Sequence, residues 1–139
     1  MIEIRDVIRM KIPFPWMTSG LALKAHMYIC KNVISSDYEF VKCQTLKPSM
    51  IGNSNFPAKH YIDERPDITR NPFVNPTRID CDKVFLSSGA NYADSMKTTS
   101  RPDVCPELFS EVIHELEIDG YEKNKLDIEQ LKLLNHSVS

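Results

Sequence analysis

Ala25-His26-Met27-Tyr28-Ile29-Cys30 and Tyr38-Glu39-Phe40-Val41-Lys42-Cys43-Gln44-Thr45 are the two stretches whose reading decides the fold. The first is a short apolar run containing Tyr and Ile, and it reads as a central strand. The second alternates. Tyr38, Phe40 and Cys43 fall on one side and Glu39, Lys42 and Gln44 on the other, provided one bulge shifts the pattern. Between them Asn32 to Asp37 (NVISSD) is a turn signal, so the two stretches form an antiparallel hairpin.

Working outward from the hairpin, Ile4 to Ile12 (IRDVIRMKI) mixes apolar and charged residues as a half-buried strand does, until Pro13, Pro15 and Thr18-Ser19-Gly20 break it. On the other side, Lys47 to Pro76 carries Pro48, Pro57, Pro66, Pro72 and Pro76 and reads as irregular, with one short strand at His60-Tyr61-Ile62. Connections this long in small domains are often functional. Thr77 to Leu86 (TRIDCDKVFL) returns to alternation, with Ile79, Cys81, Val84 and Leu86 inward and Asp80 and Asp82 outward. Ser87 to Ser100 is a polar loop. The last third is helical. Pro106 and Glu107 suit a first turn, and Leu108, Val112, Ile113 and Leu116 recur at helical spacing. Asp119-Gly120 is a stop. Asn124, with Asp127 three residues on, offers an N-cap for a second helix striped by Ile128, Leu131 and Leu134. The expectation is a β-rich α+β protein: one domain over residues 1–139, a small twisted sheet or partly open barrel with C-terminal helices packed on it.

The chain of 139 residues has 42% hydrophobic and 26% charged residues, a balance that supports a single globular core. Its net charge of -2 gives no global electrostatic attraction to nucleic acid. No apolar run reaches the roughly 18–20 residues of a membrane span, and the charges in Glu3, Arg5 and Asp6 fall where a signal peptide needs its apolar stretch, so the expected location is the cytoplasm. Cys30, Cys43, Cys81 and Cys105 are scattered without a CxxC pair, which reads as buried free thiols and offers no zinc site. There is no HxxxH or HExxH spacing, no GxSxG and no Walker loop, and the four glycines of the chain form no phosphate cradle. No cofactor or metal is expected.

What remains is a set of cations and hydroxyls at strand ends. Lys24 precedes one hairpin strand, and Thr45 and Lys47 follow the other. In an antiparallel hairpin these positions share one end of the sheet. A cation beside a hydroxyl suits a phosphate: the cation offsets developing charge and the hydroxyl donates to a phosphoryl oxygen. The plainer reading is ordinary polar residues at strand termini. His114 and His136 read as surface residues. His26 and His60 are acid/base candidates, since an imidazole titrates near neutrality, although a buried, hydrogen-bonded His26 is the plainer reading there too.

The order of these stretches resembles the PemK/MazF-type toxins. Arg5-Asp6-Val7-Ile8-Arg9-Met10-Lys11-Ile12-Pro13-Phe14-Pro15 looks like their opening strand and its Pro-Phe ending. Met17 to Leu23, Lys24 and the Ala25 to Cys30 strand resemble their loop, basic residue and apolar strand, with Lys24-Ala25 where the family usually has Arg-Pro. Phe40 to Thr45 is similar to the strand that ends in a functional Thr, and Thr77 to Phe85 to a later strand with a hydroxyl residue and an apolar-Asp-apolar run. The resemblance implies a small SH3-like β-barrel, a homodimer, and metal-independent cleavage of single-stranded RNA by attack of its own 2′-OH. A cognate antitoxin restrains such toxins. It implies Lys24 in the catalytic cation's place and Thr45 on the scissile phosphate. Lys for Arg loses bidentate phosphate recognition and keeps the charge. Lys47, with Thr45, resembles the arrangement in related toxins held by an RNA antitoxin, so a protein and an RNA antitoxin both stay open. His26 joins the catalytic set on chemistry alone. Arg65, Arg70, Arg78 and Thr77 are the expected RNA-binding residues, and solvated surface charge is the plainer reading for the three arginines. A non-catalytic module binding nucleic acid or protein on the same fold is the alternative.

Overall fold

The computed structural model describes residues 1–50 and 60–139, and the part of the Pro-rich connection that holds Pro57 lies outside the described residues. The hairpin is its centre. Strand β2 (His26–Ile34) pairs antiparallel with β3 (Asp37–Thr45), and Ile34 faces Asp37 across a two-residue turn. Ser35 opens that turn at φ 58, the left-handed backbone that tight hairpins favour. The strands therefore run further into the Asn32–Asp37 segment than its turn-like composition suggests. The register shift expected in β3 falls in β2, between Cys30 and Asn32. Alternation through β3 is thus unbroken. Lys42 shares a face with Tyr38 and Phe40, while Cys43 joins Val41 on the other, which corrects the sides read from the sequence.

Strand β1 (Val7–Met10) pairs with β2 and is shorter than the apolar pattern suggests. A short helix, α1 (Gly20–Leu23), fills the Pro-rich break before β2. Thr77 to Leu86 is not one segment but two strands, β5 (Thr77–Asp80) and β6 (Lys83–Ser88). Both are antiparallel to β3: β5 takes its C-terminal end at Cys43–Thr45 and β6 its N-terminal end at Asp37–Phe40. A corner at Cys81-Asp82 lets consecutive residues satisfy both halves of one long strand. Strand β4 (Tyr61–Glu64) edges β5. Strand β7 (Glu122–Lys125) pairs parallel with β6. Seven strands thus form one predominantly antiparallel sheet in the order β1-β2-β3-β5-β4, branching at β3 to β6 and β7. Among the described residues that hydrogen-bonded path does not return to its first strand.

Both faces of the sheet are covered. On one, Ile8, Met10, Tyr28, Phe40 and Phe85 pack with Leu131 of helix α3 (Ile128–Leu134). On the other, Val7, Ile29, Val41, Cys43 and Ile79 pack with Leu108, Val112 and Leu116 of helix α2 (Pro106–Ile118). Those three α2 residues are fully buried, each contributing about 1.5–3 kcal/mol. Helix α2 begins with Pro106 in its first turn behind Cys105, whose Sγ accepts from the Leu108 N–H at 3.4 Å, and it ends before Gly120 at φ 74. The N-cap of α3 is Asp127, accepting from the Gln130 N–H at 3.1 Å. Asn124 is spent in β7 opposite Phe85. All four cysteines are free and buried. Burial pushes the Cys30 and Cys81 thiols up to about 12. No helix among the described residues is long and apolar enough to cross a membrane.

Candidate functional site: a trough at one end of the sheet

The ladder partners Arg9–Met27, Met27–Cys43 and Cys43–Ile79 lie in one rung across β1, β2, β3 and β5. Two residues further along β3 and β5 comes Thr45 opposite Thr77. Period two places these side chains on the α2 face, beyond the apolar rung of Val7, Ile29 and Val41. Here the polar and charged residues replace the core, and a cleft of about 180 Å³ opens, lined by Arg9, His26, Met27, Thr45, Asn75 and Thr77. The Thr77 hydroxyl donates to the Asn75 carbonyl at 2.9 Å, which ties β5 to the segment before it.

His26 is the first residue of β2 and is half-buried. Its Nδ1 lies 3.0 Å from the Lys24 carbonyl oxygen. A carbonyl only accepts, so Nδ1 carries the proton and Nε2 keeps its lone pair in the neutral ring. Burial holds the His26 pKa below its usual 6.5. The Lys24 hydrogen bond opposes that shift, and the nearby Lys42, Arg9 and Lys24 charges add to it. The ring is therefore neutral at pH 7, as a proton acceptor must be.

A second cleft of about 430 Å³ adjoins the first and shares Arg9, Met27 and Val74 with it. Its far wall is the hydroxyl-rich segment Ser95 to Ser100, with Lys97. Lys97 is held by Asp6 at 3.2 Å and Asp94 at 3.9 Å. Arg9, at the junction, has no ion-pair or side-chain hydrogen-bond partner among the described residues.

Of the residues expected to act, the structure brings together His26, Thr45 and Thr77. Lys24 caps the end of α1, exposed, and touches the site through its carbonyl on His26. Lys47 is exposed just past β3, its N–H directed to the Met50 sulfur at 3.3 Å. Arg65 is exposed after β4 and lines neither cleft. Arg70 bonds Glu64 at 2.8 Å and Glu111 at 3.0 Å, joining β4 to α2. Arg78 is buried, forked onto Asp63 at 2.8 and 2.9 Å and stacked 3.6 Å from the centre of the Tyr61 ring. Its donors serve the sheet. Asp80, expected outward, is buried against Lys42 at 2.7 Å, because period two from Arg78 turns both residues to the same face. His60 lies at the other end of β4, 3.3 Å from Asp119, in a separate cleft with Asp82, Lys83 and Tyr121. Among the described residues no group of three His, Cys, Asp or Glu side chains is placed to hold a metal ion.

Sequence reasoning missed Arg9 and Asn75. Arg9 carried a signal: it is the charged residue two positions after Val7, on the face that Val7 buries. Asn75 carried none, since it lies in the Pro-rich segment and reaches the site only through tertiary folding. No family model, curated protein or solved structure matches this chain.

Proposed function

We propose that the protein is a metal-independent endoribonuclease acting on single-stranded RNA, on a plan related to the SH3-like PemK/MazF toxins. The observation that carries this reading is His26. It is a neutral imidazole with a basic Nε2, in a cleft that also holds a cation and two threonine hydroxyls. In the reaction His26 Nε2 takes the proton of a 2′-OH as that oxygen attacks the adjacent phosphorus. The P–O5′ bond breaks, leaving a 2′,3′-cyclic phosphate and a 5′-OH that picks up a proton. Thr45 donates to a phosphoryl oxygen, and the Lys24 ammonium offsets charge on the phosphorane. Lys47 holds the flanking backbone. A cytoplasmic toxin of this kind works as a homodimer and is restrained by an antitoxin, protein or RNA.

A second reading is a module that binds RNA without cutting it. It is favoured by the presence of one imidazole, His26, among the described residues that line the cleft, where the reaction uses both a base and an acid. One experiment separates the two. Purified protein is incubated with mixed single-stranded RNA in excess EDTA, beside the His26→Ala and Lys24→Ala variants. Cleavage by the wild type, leaving cyclic phosphate ends and lost in His26→Ala, supports the nuclease. Binding with no cleavage in any of the proteins moves the reading to the module.

A further inference from the structure

Resting on the RNA reading above, we propose that Arg9 is the phosphodiester-binding residue, and that the two clefts meeting at it are one trough for an extended strand. Three observations converge. Arg9 is exposed on the strand face that Val7 buries two residues earlier, so its position comes from the sheet and not from a mobile loop. Its guanidinium has no carboxylate partner among the described residues, whereas Arg5, Arg70, Arg78 and Arg101 each have one, and Arg65, which also has none, lines neither cleft. It lines both clefts, with His26, Thr45 and Thr77 on one side and Thr98, Thr99 and Ser100 on the other.

The chemistry follows from the fork. A guanidinium presents paired donors that match two phosphoryl oxygens, and an unpaired one in a cleft is already freed from competing anions. This supplies the bidentate recognition that Lys24 cannot. The hydroxyls of Thr99 and Ser100 suit the sugar and phosphate of a neighbouring nucleotide. They donate and accept without charge and so carry little sequence preference. A strand clamped at Arg9 then has one nucleotide beside His26 and the next in the larger cleft.

The test is fluorescence anisotropy with labelled, uncleavable 2′-O-methyl RNA of two and six nucleotides, over a salt series, with Arg9→Ala, Arg9→Lys and, as a control on the exposed strand β7 outside both clefts, Lys123→Ala. The six-mer binds the wild type more tightly than the two-mer. Arg9→Ala weakens it about tenfold and flattens the salt dependence by about one counterion. Arg9→Lys recovers the salt slope and part of the affinity, which shows that the variants fold. Lys123→Ala leaves binding unchanged. A wild type that binds while Arg9→Ala retains full affinity and slope overturns the role of Arg9 and leaves the nuclease reading standing. Equal affinity for two-mer and six-mer overturns the trough. A wild type that neither binds this RNA nor cleaves its unmodified form overturns the nuclease reading and this proposal with it.

Discussion

The two faces of the β3–β5 ladder handle charge in opposite ways. On the α3 face, Lys42 meets Asp80 and Arg78 meets Asp63, so every cation has its anion within 3 Å. Tyr28, directly opposite Lys42, is fully buried among them. On the α2 face, a rung past the core, Arg9 shares its cleft with Thr45 and Thr77 and has no carboxylate partner among the described residues, while His26 reaches the same cleft from the first position of β2. Paired charges inside a sheet hold register and leave nothing for a ligand. An unpaired cation in a cleft is held in place by the fold while its counterion is left to come from outside.

The largest effect should come from breaking the paired face. Lys42→Met leaves Asp80 buried without a partner and should cost about 3–5 kcal/mol, read as a drop in the urea midpoint. The sign of its pH dependence is fixed. Burial already raises the Asp80 pKa, against the pull of Lys42. A carboxyl raised in the folded state is best tolerated below its unfolded pKa and becomes costly as pH rises through the folded value. The Lys42→Met defect should therefore shrink in acid, and the double variant Lys42→Met, Asp80→Leu should recover most of the stability at neutral pH.

Around the cleft stability should barely move while activity does. His26→Ala should lower RNA cleavage roughly 10²- to 10⁴-fold. Lys24→Ala keeps the carbonyl that orients His26 and so isolates the ammonium, with an expected loss of roughly 10²-fold. An undiminished rate in Lys24→Ala would leave that residue as the orienter of His26 alone. Thr45→Val removes one neutral hydrogen bond and should cost roughly three- to tenfold.

The subtlest contrast is in pH. His26 has a lowered pKa, so its ring stays neutral to a lower pH than an unperturbed histidine. The acid limb of kcat/KM should fall below 6.5 and vanish in His26→Gln. A limb centred above 6.5 would point to another group. The same shift makes the folded state favour the neutral ring. That contribution to stability is present above pH 6.5 and is lost as pH falls through the folded value.

Much of the frame was legible in the residues. Alternation in Tyr38 to Thr45 and the turn residues after Asn32 define the central hairpin, and the Leu108, Val112 and Leu116 stripe defines α2. The split of Thr77 to Leu86 into two strands was not legible. An alternating run looks the same whether it continues or turns a corner, and only β3, long enough to pair with both halves, decides. The same holds for the site. Lys24 and Thr45 could be placed at one end of the sheet because they flank one hairpin, whereas it is the folded structure that puts His26 in a cleft with Thr45. Arg78 and Asp80 were misplaced because facing follows register, and register belongs to the partner strand.

Composition and period, which are local properties, determined by themselves an α+β protein with a hairpin at its centre, helices at its end, buried thiols and a strand rim bearing Lys24 and Thr45. The tertiary structure alone decided which charges are spent and which are free. Pairing β5 against β3 buries Arg78, Lys42 and Asp80 together, and ending β1 at the edge of the second core leaves Arg9 exposed where two clefts adjoin. Those outcomes depend on which residues meet across strands far apart in the chain, which no local pattern encodes.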